Sequence, residues 1–264
     1  MRRALVVGID EYIKSPLHGC CNDARDVSRM LKKNEDGSPN FDVRTEFNVS
    51  EKGKLKGMII DCFSTDADIA LFYYSGHGVV DVTGGYLVTP DYTKYDCGVS
   101  MDEIMKIVQE SRCKNKIIIL DCCHSGEIAQ INLSGQNASI IGEGVTLLTA
   151  SRGEETSVEC GGHGVFTSLL LEALSGSAAD ITGNITPASI YAYIDKALGA
   201  WEQRPVFKTN TTQFISLRET RPQVDIGIIR KIGVYFEEET TVLRLDPSFE
   251  PTNTHSVRHE IIVP

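Results

Sequence analysis

Short apolar runs recur along the chain, each closed by small or polar residues: Ala4 to Ile9, Ile69 to Tyr74, Ile117 to Leu120 and Val145 to Ala150. Runs of this length without alternation read as strands buried on both faces, the pattern of a parallel sheet. Between them, apolar positions recur at helical spacing. Val27, Met30 and Leu31 share a face over Asp23 to Lys33, with Asn22 as the expected N-cap. Leu55, Met58, Ile59 and Cys62 do the same in a segment expected to be capped by Ser50 and to end near Phe63. Ser100 and Glu103 form a capping box before Ile104, Ile107 and Val108, in a helix running to about Ser111. Val165 to Leu174 reads as a helix, and Thr186 with Pro187 opens another that runs to about Leu198.

Weaker signals complete the chain. Phe41 to Phe47 reads as a strand with Phe41, Val43, Thr45 and Phe47 on one side, and Gly84-Gly85 predicts a small hairpin leading into Tyr86 to Val88. Residues 127–143 read as a loop or weak helix, and Gln213 to Leu217 as a short last strand. Strands alternating with helices imply a mostly parallel sheet with helices on both faces, an α/β fold. Composition shifts after about Thr220. Residues 1–219 therefore read as one domain. Residues 220–264 read as an extension: short strands within Ile226 to Leu245, then a proline-containing linker or docking tail that could lead into a longer protein.

Bulk properties narrow the function classes. Hydrophobic content of 41% and charged content of 23% fit a packed core rather than disorder. The net charge of −10 argues against nucleic acid as a partner and favours basic peptides. No apolar stretch approaches membrane-spanning length, and no secretory leader precedes the first strand. Two of the cysteine pairs are adjacent in sequence, Cys20-Cys21 and Cys122-Cys123, in a chain long enough to fold without disulfides. A reducing, cytoplasmic setting is expected.

Two of the buried strands end in reactive side chains. One runs into Ser75-Gly76-His77-Gly78, the other into Asp121-Cys122-Cys123-His124-Ser125-Gly126. If the strands are neighbours, thiol and imidazole meet at the carboxyl edge of the sheet, where open α/β sheets bind ligands. The imidazole can then take the thiol proton, and the amides of Gly78 and Cys123 can form an oxyanion hole. Blander readings stand beside this one: a structural core cysteine pair, a strand-end histidine, a first-turn helix acid at Asp23 and a turn acid at Asp121. A thiolate metal site from Cys20, Cys21, Cys122, Cys123 and His77 lacks the Cys-x-x-Cys spacing of zinc sites, so no metal is expected. A nucleotide-binding reading fails because Gly8-Ile9-Asp10-Glu11 is acidic where a phosphate would sit.

The two strand-end motifs resemble the catalytic motifs of the caspase-like superfamily, metacaspases in particular, with His77 and Cys123 46 positions apart. The opening strand, the turn Gly19-Cys20-Cys21-Asn22-Asp23-Ala24 and Gly164-Val165-Phe166-Thr167 match as well, so the resemblance covers about residues 1–219. It implies a caspase-like three-layer sandwich with a six-stranded, mostly parallel sheet, and a regulated signalling or defence endopeptidase. Cys123 would be the nucleophile and His77 the general base and acid. Cys122, on the opposite side of an extended backbone, would pack inward.

In metacaspases the position two before the nucleophile, here Asp121, joins a Cys-x-x-Asp turn, here Cys20 and Asp23, and a serine, here Ser75, to form the S1 pocket. Two enclosed carboxylates favour a guanidinium or ammonium group, so the resemblance implies cleavage of protein or peptide substrates after Arg, and less well after Lys. The family's acid-rich calcium loop is shortened to Asp81 and Asp91 within 79–92, so calcium is not required by the sequence, nor is any other cofactor. No Lys or Arg lies between Lys116 and Arg152, so a basic-specific protease cannot cut itself there. The domain is therefore expected to work as a single chain, or to be switched by an activating partner or attached sensor domain, while Arg218, Arg221, Arg230 and Lys231 remain open to trimming. The alternative is a catalytically weak caspase-fold scaffold or sensor-linked switch.

Overall fold

The structure, a computed structural model, describes residues 1–122, 141–150, 159–160, 162–198, 204–211, 213–231 and 234. The chain divides into two units, Met1–Arg221 and Pro222–Pro264. In the second, the described residues form a short helix, Ile226–Arg230, whose first turn is closed by the Asp225 carboxylate accepting from the Gly227 amide. The strands expected from Ile226 onward are thus replaced by a helix over 226–230, and the rest of that stretch, apart from 231 and 234, lies outside the described residues.

The first unit is built on a six-stranded sheet. Strands β1 (Arg2–Gly8), β2 (Asp42–Phe47), β3 (Ile69–Gly76), β7 (Asn115–Cys122), β8 (Val145–Thr149) and β12 (Val206–Asn210) lie in the order β12-β8-β7-β3-β1-β2, and the two-residue strands β9 (Glu159–Cys160), β10 (His163–Gly164) and β11 (Asn184–Ile185) stand outside this sheet. All neighbours are parallel except β12, which runs antiparallel to β8. Alternation within the buried strands divides the core into two layers. Leu5, Val7, Phe72, Tyr74, Ile118 and Leu120 pack with helices α2 (Lys52–Phe63) and α3 (Met101–Glu110) and with the three-stranded meander β4 (Gly78–Asp81), β5 (Gly84–Thr93) and β6 (Asp96–Ser100). Ala4, Val6, Leu71, Tyr73, Ile117 and Ile119 pack on the other face, with α1 (Cys20–Lys32), α4 (Val165–Glu172) and α5 (Pro187–Ala197). Within each of these strands, a buried side chain's face therefore follows from whether its number is odd or even.

The sheet is wound from β1 outward to β2 and then back across β1 to β3. The strand order reverses between β1 and β3, and their carboxyl ends mark the crevice where such sheets take ligands. Four sequence expectations are corrected. Helix α1 starts at Cys20, not after Asn22: the Asp10 carboxylate, ten residues upstream, accepts from the amides of Cys20 (2.9 Å) and Cys21 (3.1 Å). Helix α2 is entered from Glu51 rather than capped by Ser50, and the Lys52 amide donates to Asp91 instead. The last strand of the main sheet is Val206–Asn210, not 213–217. Thr209 faces Thr146 across the β8–β12 pair with hydroxyls 2.9 Å apart, and Phe207 stacks on Tyr191. Arg218 is buried, donating to the carbonyls of Lys33 and Leu174, so it is not an accessible trimming site. The capping boxes at Ser100 and Thr186 form as expected.

Candidate active site

His77 follows β3 directly and is fixed by the loop that follows β1. Its Nε2 lies 2.7 Å from the Ser15 carbonyl oxygen. A carbonyl only accepts, so Nε2 carries the hydrogen and the lone pair of the neutral ring sits on Nδ1. The main chain of His77 is held at both ends. Its N–H donates to Tyr12 Oη (3.0 Å), and its carbonyl accepts from Tyr74 Oη (3.0 Å) and from the Val88 amide (2.9 Å). The Tyr12 ring also meets the imidazole edge-on, with centroids 4.5 Å apart. Burial pushes both phenols far above their ordinary pKa, so they remain protonated donors. Gly76 is required between them, because a Cβ there would come within 2.6 Å of Tyr12 Oη. Tyr12→Phe is expected to leave the His77 N–H without its partner and to lower turnover about tenfold at unchanged KM. Steady-state kinetics beside a melting curve checks this.

The amide of Gly78 is placed by the meander. Val88 N–H donates to His77 O, and Gly78 pairs with Leu87 in the β4–β5 register. Antiparallel partners alternate between bonded and non-bonded pairs, so the Gly78 N–H points away from β5. Strand β7 runs beside β3 in register, with Ser75 opposite Asp121 and Gly76 opposite Cys122. Cys122 is buried in the layer of Tyr12, Tyr74 and Leu120, as its parity demands. Cys123, the next residue in the chain, lies outside the described residues, as do His124, Ser125 and Gly126.

The four expected pocket residues come together on the opposite layer. Ser75 Oγ donates to Asp23 Oδ2 at 3.0 Å, and both residues are buried. Asp23 also accepts from His163 Nδ1 at 2.8 Å and from the Gly164 amide at 3.5 Å. Asp121, the cross-strand neighbour of Ser75, accepts from Thr167 Oγ1 at 2.5 Å, and that hydroxyl also meets Tyr73 Oη at 2.6 Å. A Cβ on Gly164 would approach Asp121 Oδ2 to 2.8 Å, so glycine lets the start of α4 close over the acid. Burial, then the nearby Asp23 charge, pushes Asp121 up from 3.8 to about 7 against the pull of its Thr167 bonds. Burial raises Asp23 too, opposed by His163, Ser75 and Gly164. Three donors aimed at Asp23 make it the acid better able to hold charge. Burial likewise keeps the Cys20 thiol protonated, with Ser75 beside it and Asp10, Asp121 and Asp23 nearby.

Tyr12, Tyr74, Ser15, His163 and Thr167 are contributors that sequence reasoning did not assign. Thr167 stands in the matched segment Gly164-Val165-Phe166-Thr167, which was its one local signal. The others reach the site through tertiary packing alone. Among the described residues, no group of three or more His, Cys, Asp or Glu side chains is arranged to hold a metal ion, and no helix is long and apolar enough to cross a membrane.

Residues 1–215 match the family described as the Caspase domain. Among solved structures, caspase-1 from Spodoptera frugiperda superposes with a TM-score of 0.58 at 16% identity, covering 84% of this chain and 91% of that one. At that identity the likeness speaks for the fold. No curated protein matches the chain.

Proposed function

The chain belongs to the Caspase domain family of cysteine peptidases, and from that membership we propose that it is a metacaspase-type endopeptidase cutting after Arg and, less well, Lys. The observation that carries this reading is the buried cluster of Asp23, Ser75 and Asp121 beside the strand end that bears His77. An arginine guanidinium entering the cluster would find two carboxylates, and its fork geometry suits bidentate pairing. A P1 aspartate would be repelled by the same pair.

In this mechanism Nδ1 of His77 takes the proton of the Cys123 thiol, and the thiolate attacks the carbonyl carbon after the basic residue. The oxyanion is received by the amides of Gly78 and Cys123. His77 then returns its proton to the leaving amine, and water, activated by the same imidazole, hydrolyses the thioester. The Ser15 carbonyl stabilises the imidazolium by accepting from Nε2 throughout.

Calcium has no evident part in this scheme. The Asp81 carboxylate already accepts from Thr83 N and Oγ1 and from Gly84 N, and Asp91 from Lys52 N and Thr89 Oγ1. A panel of fluorogenic peptides differing only at P1, run with and without EGTA, is the test. Arg above Lys with no turnover of Asp is expected, at rates that chelation does not change. Preferential cleavage after Asp would sink the specificity, and silence toward every substrate and every arginyl thiol probe would sink the peptidase reading.

A further inference from the structure

Strand β2 is the open edge of the main sheet. Its only sheet neighbour among the described residues is β1, and beyond that ladder the backbone of 42–47 makes no hydrogen bond there. Its side chains divide by parity. Asp42 and Arg44 turn toward α2, where Arg44 pairs with Asp61 and Glu46. Thr45 and Phe47 turn toward α1, where they wall a cleft of about 520 Å³ with Arg25, Ser28, Arg29, Lys32 and Lys33. Four of its seven lining residues are cations and none is an acid, in a chain of net charge −10. Arg25 lies over the exposed Phe47 ring at 5.3 Å, and the Ser28 and Thr45 hydroxyls bond across the cleft floor at 2.6 Å.

We propose that this edge docks an extended acidic segment of a protein partner, which adds as a strand to β2 and lays carboxylates along α1. The two features meet in spacing. Alternate residues of a strand repeat every ~7 Å on one face, and Arg25 and Arg29, four residues apart, lie about 6 Å apart along the helix. A Glu-x-Glu pattern thus sets successive acids against successive turns of α1, while main-chain bonds to β2 supply affinity that does not depend on side chains. An open edge is ordinarily a liability that proteins cover or charge. Here the edge is charged with both signs on the α2 side, by Asp42, Arg44 and Glu46, and lined by four cations on the α1 side, of which Arg29 also pairs with Asp26, so acids of the ligand are selected on the α1 side.

The test uses the full chain and a fluorescein-labelled peptide Glu-Thr-Glu-Thr-Glu-Thr-Glu, which holds no basic residue to be cut. Anisotropy is expected to show saturable binding that weakens with salt. Binding should fall tenfold or more in Lys32→Glu/Lys33→Glu, two exposed positions away from the pocket, with hydrolysis of a small arginyl peptide unchanged. Peptides N-methylated at odd or at even positions separate strand addition from plain anion binding, because only one parity turns its N–H groups toward β2. Loss with one parity and retention with the other is expected. Equal retention by both, or undiminished binding to the charge-reversed chain, overturns the proposal.

Discussion

His77→Ala is expected to lower kcat on an arginyl peptide by roughly 10³-fold or more, with little change in KM or in the melting temperature. The imidazole ring is partly exposed, bonds through Nε2 to the Ser15 carbonyl and meets the Tyr12 ring edge-on, so truncation takes little from the buried core. What it removes is the group that draws the thiol proton and later protonates the leaving amine. Without it, Cys123 attacks only as the small thiolate fraction of an ordinary cysteine. Cys123→Ala should abolish turnover outright, and the double variant should be no worse than that, since the two groups act as one unit. Initial rates of the three variants decide the matter. A His77→Ala chain retaining activity within tenfold of wild type would mean that another base serves Cys123.

Ser15 and Tyr12 explain why this expectation needed the structure as well as the sequence. The imidazole and its strand were legible in Ser75-Gly76-His77-Gly78, and parity along β7 sends Cys122 inward and Asp121 toward α1 and α4. Both follow from a period of two that any reader of an apolar run can apply. The restraints on the imidazole were not legible. They come from a carbonyl and a phenol in a loop 62 and 65 residues away, and a carbonyl has no residue type to recognise. The same holds for α1. Asn22 has the composition of a cap, but Asp10 reaches the helix start from the end of β1, and a local pattern cannot report an acceptor ten residues upstream. Strand β12 was missed because Val206 to Asn210 has one fully buried apolar residue, and its pairing with β8 rests on edge position and on the Thr209–Thr146 bond. The pocket acids were the intermediate case. Their types and places were readable by resemblance, whereas which of them holds its charge depends on donors from His163, Gly164 and Thr167.

That last dependence leads to Asp121→Asn, for which two opposite effects are expected. In wild type the buried carboxyl titrates at about 7 rather than 3.8. The folded state therefore holds a proton that the unfolded chain has released, and stability falls as pH rises from about 4 to 7. Above pH 7 the whole cost is present, up to about 4 kcal/mol for a shift of this size. Asparagine keeps the shape and can still accept from Thr167, so the variant should melt higher than wild type at pH 8 and lose that advantage by pH 4. Binding should change the other way. A guanidinium in the pocket favours the ionised acid, so wild type should release a proton on binding, and affinity should tighten as pH rises toward 7 and level off above it. Agmatine, an arginine side-chain mimic that needs no thiol chemistry, isolates this from the titration of His77 and Cys123. Its competitive Ki should rise roughly 10²-fold in Asp121→Asn, in line with the loss of one partner from a buried charge pair, and should no longer vary with pH between 6 and 8. An agmatine Ki indifferent to the substitution would remove Asp121 from the pocket, even if the variant proves as stable as expected.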